Sequence, residues 1–150
     1  MEQEFTTSVS KIIERDLNKL AEEINLYPTE DSIWKIDGEI KNSGGNLCLH
    51  LCGNLQHFIG AILGKTNYVR NRDHEFAAKG IARAELLNQI QQSKDAVKST
   101  LQKLDSSVLK AEFPIQVLGY PMSTMYFLIH LTSHLEYHLG QINYHRRLLS

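Results

Sequence analysis

Proline occurs only at positions 28, 114 and 121, so long intervals of the chain lack the one residue that cannot continue a helix. Those intervals carry apolar residues at a 3.6-residue period and no strand-type alternation, which predicts an all-α fold. The first interval predicts a helix over about 4–25, with Phe5, Val9, Ile12, Ile13, Leu17, Leu20 and Ile24 on one stripe. After "YPTEDSIW", Asn42 and Ser43 suit a helix start and Gly44 and Gly45 a tight turn, so a second helix is expected over about 46–64. The polar connection "KTNYVRNRDHEFAAKG" leads to a third helix over about 79–105, with Leu86, Ile90, Val97, Leu101 and Leu104 on one side. The segment "SSVLKAEFPIQVLGYPMS" reads as an extended crossover, because its one strand-like run, Phe113 to Leu118, has nothing to pair with. The fourth helix, about 122–149, follows Pro121 with Ser123 as a cap. Four helices and two long connections predict one four-helix-bundle domain over residues 1–150.

Sixteen basic and seventeen acidic side chains, without strong clustering, give no electrostatic footprint for nucleic acid or an anionic membrane. The N-terminus is acidic and then amphipathic, unlike a secretory leader, and no apolar run approaches a membrane span, so a cytoplasmic protein is expected. Cys48 and Cys52, four apart on a helix, read as small core residues.

The segment "LIHLTSHLEYHLGQINYHRR", residues 128–147, holds four of the seven histidines. At 100° per residue His130, His134, His138, Gln141 and His145 fall within a quarter of the helix circumference. Leu128, Leu131, Leu135, Leu139 and Ile142 lie beside them, and Thr132, Ser133, Glu136, Asn143 and Arg147 occupy the far side. The imidazoles therefore border the buried arc and need partners there, either hydrogen bonds among themselves or a shared cation. Two histidines at i and i+4, such as His134 and His138, can converge on one metal. His50 borders the apolar arc of the second helix, and bundle sites are assembled from facing helices, so it is the candidate third ligand. His57 lies two turns further along the same face, His130 and His145 flank the pair as pocket lining or outer partners, and His74 falls in a polar loop.

The stretches "NSGGNLCLHLCGNLQHFIG" (42–60) and "HLTSHLEYHLGQINYHRR" (130–147) resemble the DinB-like superfamily, which includes YfiT-type metal-dependent hydrolases and bacillithiol- and mycothiol-dependent S-transferases. The resemblance implies a four-helix bundle of up-down-down-up order, often a homodimer. It also implies a divalent metal on His50, His134 and His138, with Gln141 at the family's glutamine position. Zinc or nickel is expected first, iron or manganese after them.

Three imidazoles leave coordination positions open, as a reactive site requires. Asn54 and Gln141, each one turn beyond a ligand, are candidates to orient ligands or bound water. No carboxylate falls on the expected inward faces: Glu136 points away, and Asp73 and Glu75 stand in a connection. A general base would have to be a flanking histidine such as His130, the metal's own water or a thiol substrate. Trp34, Tyr68, Tyr126 and Tyr137 are candidate pocket aromatics, and Arg70 and Arg72 candidate anion contacts. The leading expectation is a metal-dependent enzyme adding a low-molecular-weight thiol to an electrophilic small molecule; hydrolysis and a non-enzymatic metal-containing module are the alternatives. A face of Leu49, Gly53, Gln56 and Gly60 on the second helix is the expected dimer contact.

Overall fold

The computed structural model describes residues 1–150 and contains helices but no strands. Helix α1 spans Glu2–Leu26, and a 3₁₀ turn follows at Asp31–Trp34. Helix α2 (Gly44–Leu55) continues into a π-helical segment, Gln56–Leu63. Helix α3 covers Arg72–Ala77, α4 Arg83–Lys103, α5 Ser106–Lys110 and α6 Thr124–Leu149. No helix is long and apolar enough to cross a membrane.

The four long helices match those expected from periodicity, and their ends obey local chemistry. Ser43 Oγ accepts from Asn46 N at the start of α2, and Ser123 Oγ from Tyr126 N at the start of α6. Gly44 and Gly45, expected to make a tight turn, instead form the first turn of α2. A Cβ on Gly44 would overlap Tyr27 Oη, and one on Gly45 would fall 2.6 Å from the Trp34 ring. These glycines therefore admit two aromatics to the helix backbone. The connection holding Phe113 makes only one isolated bridge, Glu112 with Ser123, and contains no strand.

Helix α1 packs on α4 and α6, and α2 packs on the same two helices. The stripe read from α1 supplies Val9, Ile13, Leu17, Leu20 and Ile24 to the core, while Ile12 lies at its margin. Cys48 and Cys52 are fully buried free thiols. The hydrogen bond to Cys52 together with burial raises the Cys48 pKa.

Helix α2 is buried on every side. The face of Leu49, Gly53, Gln56 and Gly60, expected to meet a second copy, is covered within the chain: Leu49 is 3% exposed, Glu75 occupies the space over Gly53, and Thr66 and Ala96 pack over Gly60.

His145 is also buried, at the edge of a cleft with Ile40, Leu47 and Tyr144, and both of its ring nitrogens are engaged. Its Nε2 lies 2.7 Å from the carbonyl oxygen of Lys35, which can only accept, so Nε2 donates. Its Nδ1, 2.7 Å from Tyr27 Oη, must then accept from the tyrosine hydroxyl. Burial lowers the His145 pKa, so just below about pH 6.5 the unfolded chain takes up a proton that the folded chain refuses. This contribution to stability is complete above about pH 6.5 and lost as pH falls through the folded value. The urea midpoint should therefore drop on acidification, less steeply in His145→Gln than in the wild type. Tyr27→Phe, which orphans Nδ1 in the core, should cost about 1–3 kcal/mol at neutral pH in the same titration.

Candidate metal centre

Helix α2 presents His50 to α6 at the turn where α6 presents His134 and His138, so all three rings of the triad come from one helix pair. His134 Nε2 lies 3.2 Å from His50 Nε2 and 3.2 Å from His138 Nε2. One ligand atom from each ring falls within 4.8 Å of the others, which positions the three to bind a metal ion.

The far side of each ring fixes what the near side offers. His50 Nδ1 is 3.2 Å from Glu75 Oε1. A carboxylate only accepts, so Nδ1 carries the proton and Nε2 presents its lone pair. Arg70 holds that carboxylate from both sides, Nε to Oε2 at 2.9 Å and Nη2 to Oε1 at 3.0 Å. Arg70 Nη2 also lies 3.3 Å from His50 Nδ1, but with that nitrogen protonated the contact is not a hydrogen bond. His138 Nδ1 donates to Gln141 Oε1 at 2.7 Å, so its Nε2 is likewise a lone pair. Two lone pairs thus converge on His134 Nε2, whose single proton could satisfy only one of them; a cation satisfies all three nitrogens. The donor set fits a divalent ion by its own chemistry.

Burial, reinforced by His138, His50, His130 and Arg70, pushes the His134 pKa down to about 3. Burial also lowers His138, partly offset by Gln141. Burial alone would raise Glu75, but the hydrogen bonds from His50 and Arg70 outweigh it and hold the carboxyl below its ordinary value. His134 and His138 are therefore neutral and the Glu75 carboxyl ionised, the protonation states that ligation requires.

Of the other candidates, Asn54 is buried with its Oδ1 unpartnered, and His134 Nδ1 is equally unpartnered. His130 stacks on Phe127 at 5.6 Å and lies 6.1 Å from the His134 ring, bonded to none of the three. Tyr137 stands 5.2 Å from His138, whereas Trp34 donates to Ile81 O and Tyr126 pairs with Tyr120 on the surface, away from the triad. His57 sits against Phe58, and His74 is exposed on α3. Arg72 lies over the Phe76 ring, which in turn packs 4.9 Å from His50.

Glu75 is the residue that periodicity missed. The segment expected to be a polar connection folds as α3 and delivers a carboxylate that is 4% exposed. Asn71 caps α3 through His74 N, and Asn46 Nδ2 donates to the carbonyls of Glu75 and Ala78, fastening it to α2. The signals were Asn71 ahead of an acidic turn, and Gly53, three residues after His50. A Cβ at Gly53 would overlap Glu75 Oε2. Gly53→Ala should therefore expel the carboxylate from His50 and lower stability by about 1–3 kcal/mol in urea titrations at neutral pH.

No curated protein matches the chain. Over residues 1–150 it matches the family described as "Protein of unknown function (DUF1572)", and with the whole chain covered, this all-helical protein with a convergent histidine triad belongs to that family.

Proposed function

We propose that this chain is a DinB-like, metal-dependent enzyme that holds one divalent ion through Nε2 of His50, His134 and His138 and joins a low-molecular-weight thiol to an electrophilic small molecule. The observation that carries the reading is the meeting of three imidazole Nε2 atoms, two of them held as lone pairs by Glu75 and Gln141 behind the rings. Zinc and nickel suit three nitrogens best, with iron and manganese next.

A DinB-like four-helix bundle of up-down-down-up order accords with the side-chain pairings. Arg15 with Glu136 and Glu23 with Arg146 climb together along α1 and α6. Asn18 with Lys94 and Asn25 with Arg83 run in opposite senses, as do His50 with His138 and Phe58 with Phe127. The packing of Ala96 over Gly60 and Thr100 over Gly64 supports α2 and α4 running the same way.

When bound, a divalent ion supplies Lewis acidity, lowering the pKa of a water or thiol that reaches its open positions. The protein's part is to orient and to manage protons. Glu75, clamped by Arg70, retains the His50 Nδ1 proton and fixes the ring. Gln141 does the same for His138. Asn54 Oδ1 and His134 Nδ1 are a buried acceptor and a buried nitrogen on facing helices that make no hydrogen bond, to each other or to any other group. In this reading His130, half-buried and one turn from His134, takes the proton that a thiol gives up. A cleft bounded by Ile40, Leu47, Gln141, Tyr144 and His145 reaches Gln141, the partner of His138, but is not lined by the triad itself. Glu75, engaged by His50 and Arg70, is not free to act as a base, which favours thiol transfer over hydrolysis. The buried free thiols of Cys48 and Cys52 accord with a reducing, cytoplasmic setting.

Elemental analysis after reconstitution should give one divalent ion per chain, and His50→Ala, His134→Ala or His138→Ala should each abolish stoichiometric loading while leaving the helical circular dichroism in place. A chain that binds no ion would remove the proposal. A loaded chain that consumes no thiol in the presence of any electrophile would leave the metal centre and remove the transferase reading.

A further inference from the structure

A cleft of about 240 Å³ opens between α2, α3 and α4 beside Glu75. None of the three triad histidines lines it, so it is a separate place from the metal centre. Leu49 gives it an apolar wall, and Tyr68 enters from the connection ahead of α3. On α4, Glu85, Gln89 and Gln92 stand at i, i+4 and i+7 and so share the face that lines the other side.

Gln56 is the telling residue. It lines this cleft and is only 8% exposed, yet its side-chain amide bonds to no group of the chain. Its backbone N–H alone is engaged, to the carbonyls of Cys52 and Gly53. A carboxamide drawn out of water in this way gives up hydrogen bonds that nothing inside the chain returns, a cost that an unbranched apolar side chain such as methionine would not carry. The Tyr68 hydroxyl, half-buried in the same cleft, also has no partner. Burial, reinforced by Glu75, raises its pKa, so it stays a protonated donor.

Charge narrows the occupant. Glu75 is already cancelled by Arg70, Glu85 stands in solvent and accepts from Gln89 Nε2 at 3.2 Å, and no lysine or arginine lines the cleft. His74, the remaining titratable group there, is exposed. A charged group brought to Gln56 would meet no free counter-charge, and burying it would be costly. A hydroxyl gives and takes through one atom, whereas a second carboxamide gives and takes through two, which match the N–H and C=O of the glutamine as a parallel pair of hydrogen bonds.

We infer that this cleft binds a small uncharged molecule through a primary carboxamide or ureido group, which pairs with the Gln56 side chain while its carbonyl oxygen also accepts from the Tyr68 hydroxyl. The rest of the molecule lies on Leu49 and reaches the amides of Gln89 and Gln92 at the mouth. Bound there, it abuts Glu75, the carboxylate behind His50, without entering the triad.

An NMR titration of the full chain with propionamide, against propionate, propylamine and glycerol, tests this. Propionamide should give saturable shifts at Leu49, Gln56 and Gln92 with a dissociation constant in the millimolar range, about what a five-atom ligand reaches, and the other three should bind at least about tenfold more weakly. Gln56→Met, which removes both hydrogen bonds and keeps the length, should weaken propionamide by about tenfold or more while leaving the thermal midpoint unchanged or raised. Gln56→Glu, which can accept but not donate, should move the preference from propionamide to propylamine. Absence of saturable shifts with propionamide up to about 100 mM, equal binding of any of the other three, or variants that keep the wild-type affinity and preference would each overturn the inference.

Discussion

Because α2 is out of water on every side, its polar side chains can find partners only inside the protein, and Asn46 and His50 do so where Asn54 Oδ1 does not. That constraint organises much of the molecule. Asn46 takes the carbonyls of Glu75 and Ala78, which fastens α3 to α2, and His50 takes the Glu75 carboxylate on one side and faces the α6 histidines on the other. The helix that supplies the deepest apolar packing is thus also the one whose polar residues define the centre. Gly53 is the geometric concession that lets both happen, since it opens the backbone to the carboxylate.

The four histidines of α6 lie on one stripe, yet they serve different ends. Near the start of the helix His130 rests on Phe127; in the middle His134 and His138 meet His50; near the end His145 is sealed between Tyr27 and a carbonyl of the connection after the 3₁₀ turn. Spacing alone places them on one face, and what differs is the helix or loop opposite each turn.

The long helices and the triad were legible in the sequence because both depend on helical periodicity, which a single chain displays in full. His50 could be paired with His134 and His138 because all three border apolar arcs. Glu75 was not legible in that way: a six-residue helix is too short to show a period, and its inward turn depends on Arg70, His50 and the missing side chain at Gly53 acting together. The same holds for the glycine pair at 44 and 45, where what matters is an aromatic arriving from another segment. The π-helical stretch after Leu55 also escaped the periodic reading, since its hydrophobic pattern continues that of α2 while its hydrogen bonds lengthen, as from Gly64 N to Ile59 O.

The Arg70–Glu75 pair has an electrostatic corollary. The carboxylate behind the rings is already cancelled by a guanidinium, so no net negative charge stands beside the three imidazoles. A dication seated there would keep both of its charges in a half-buried place where water screens them weakly. The fourth partner that best balances a dication there is itself an anion, and Glu75, the carboxylate nearest the rings, is already taken by His50 and Arg70.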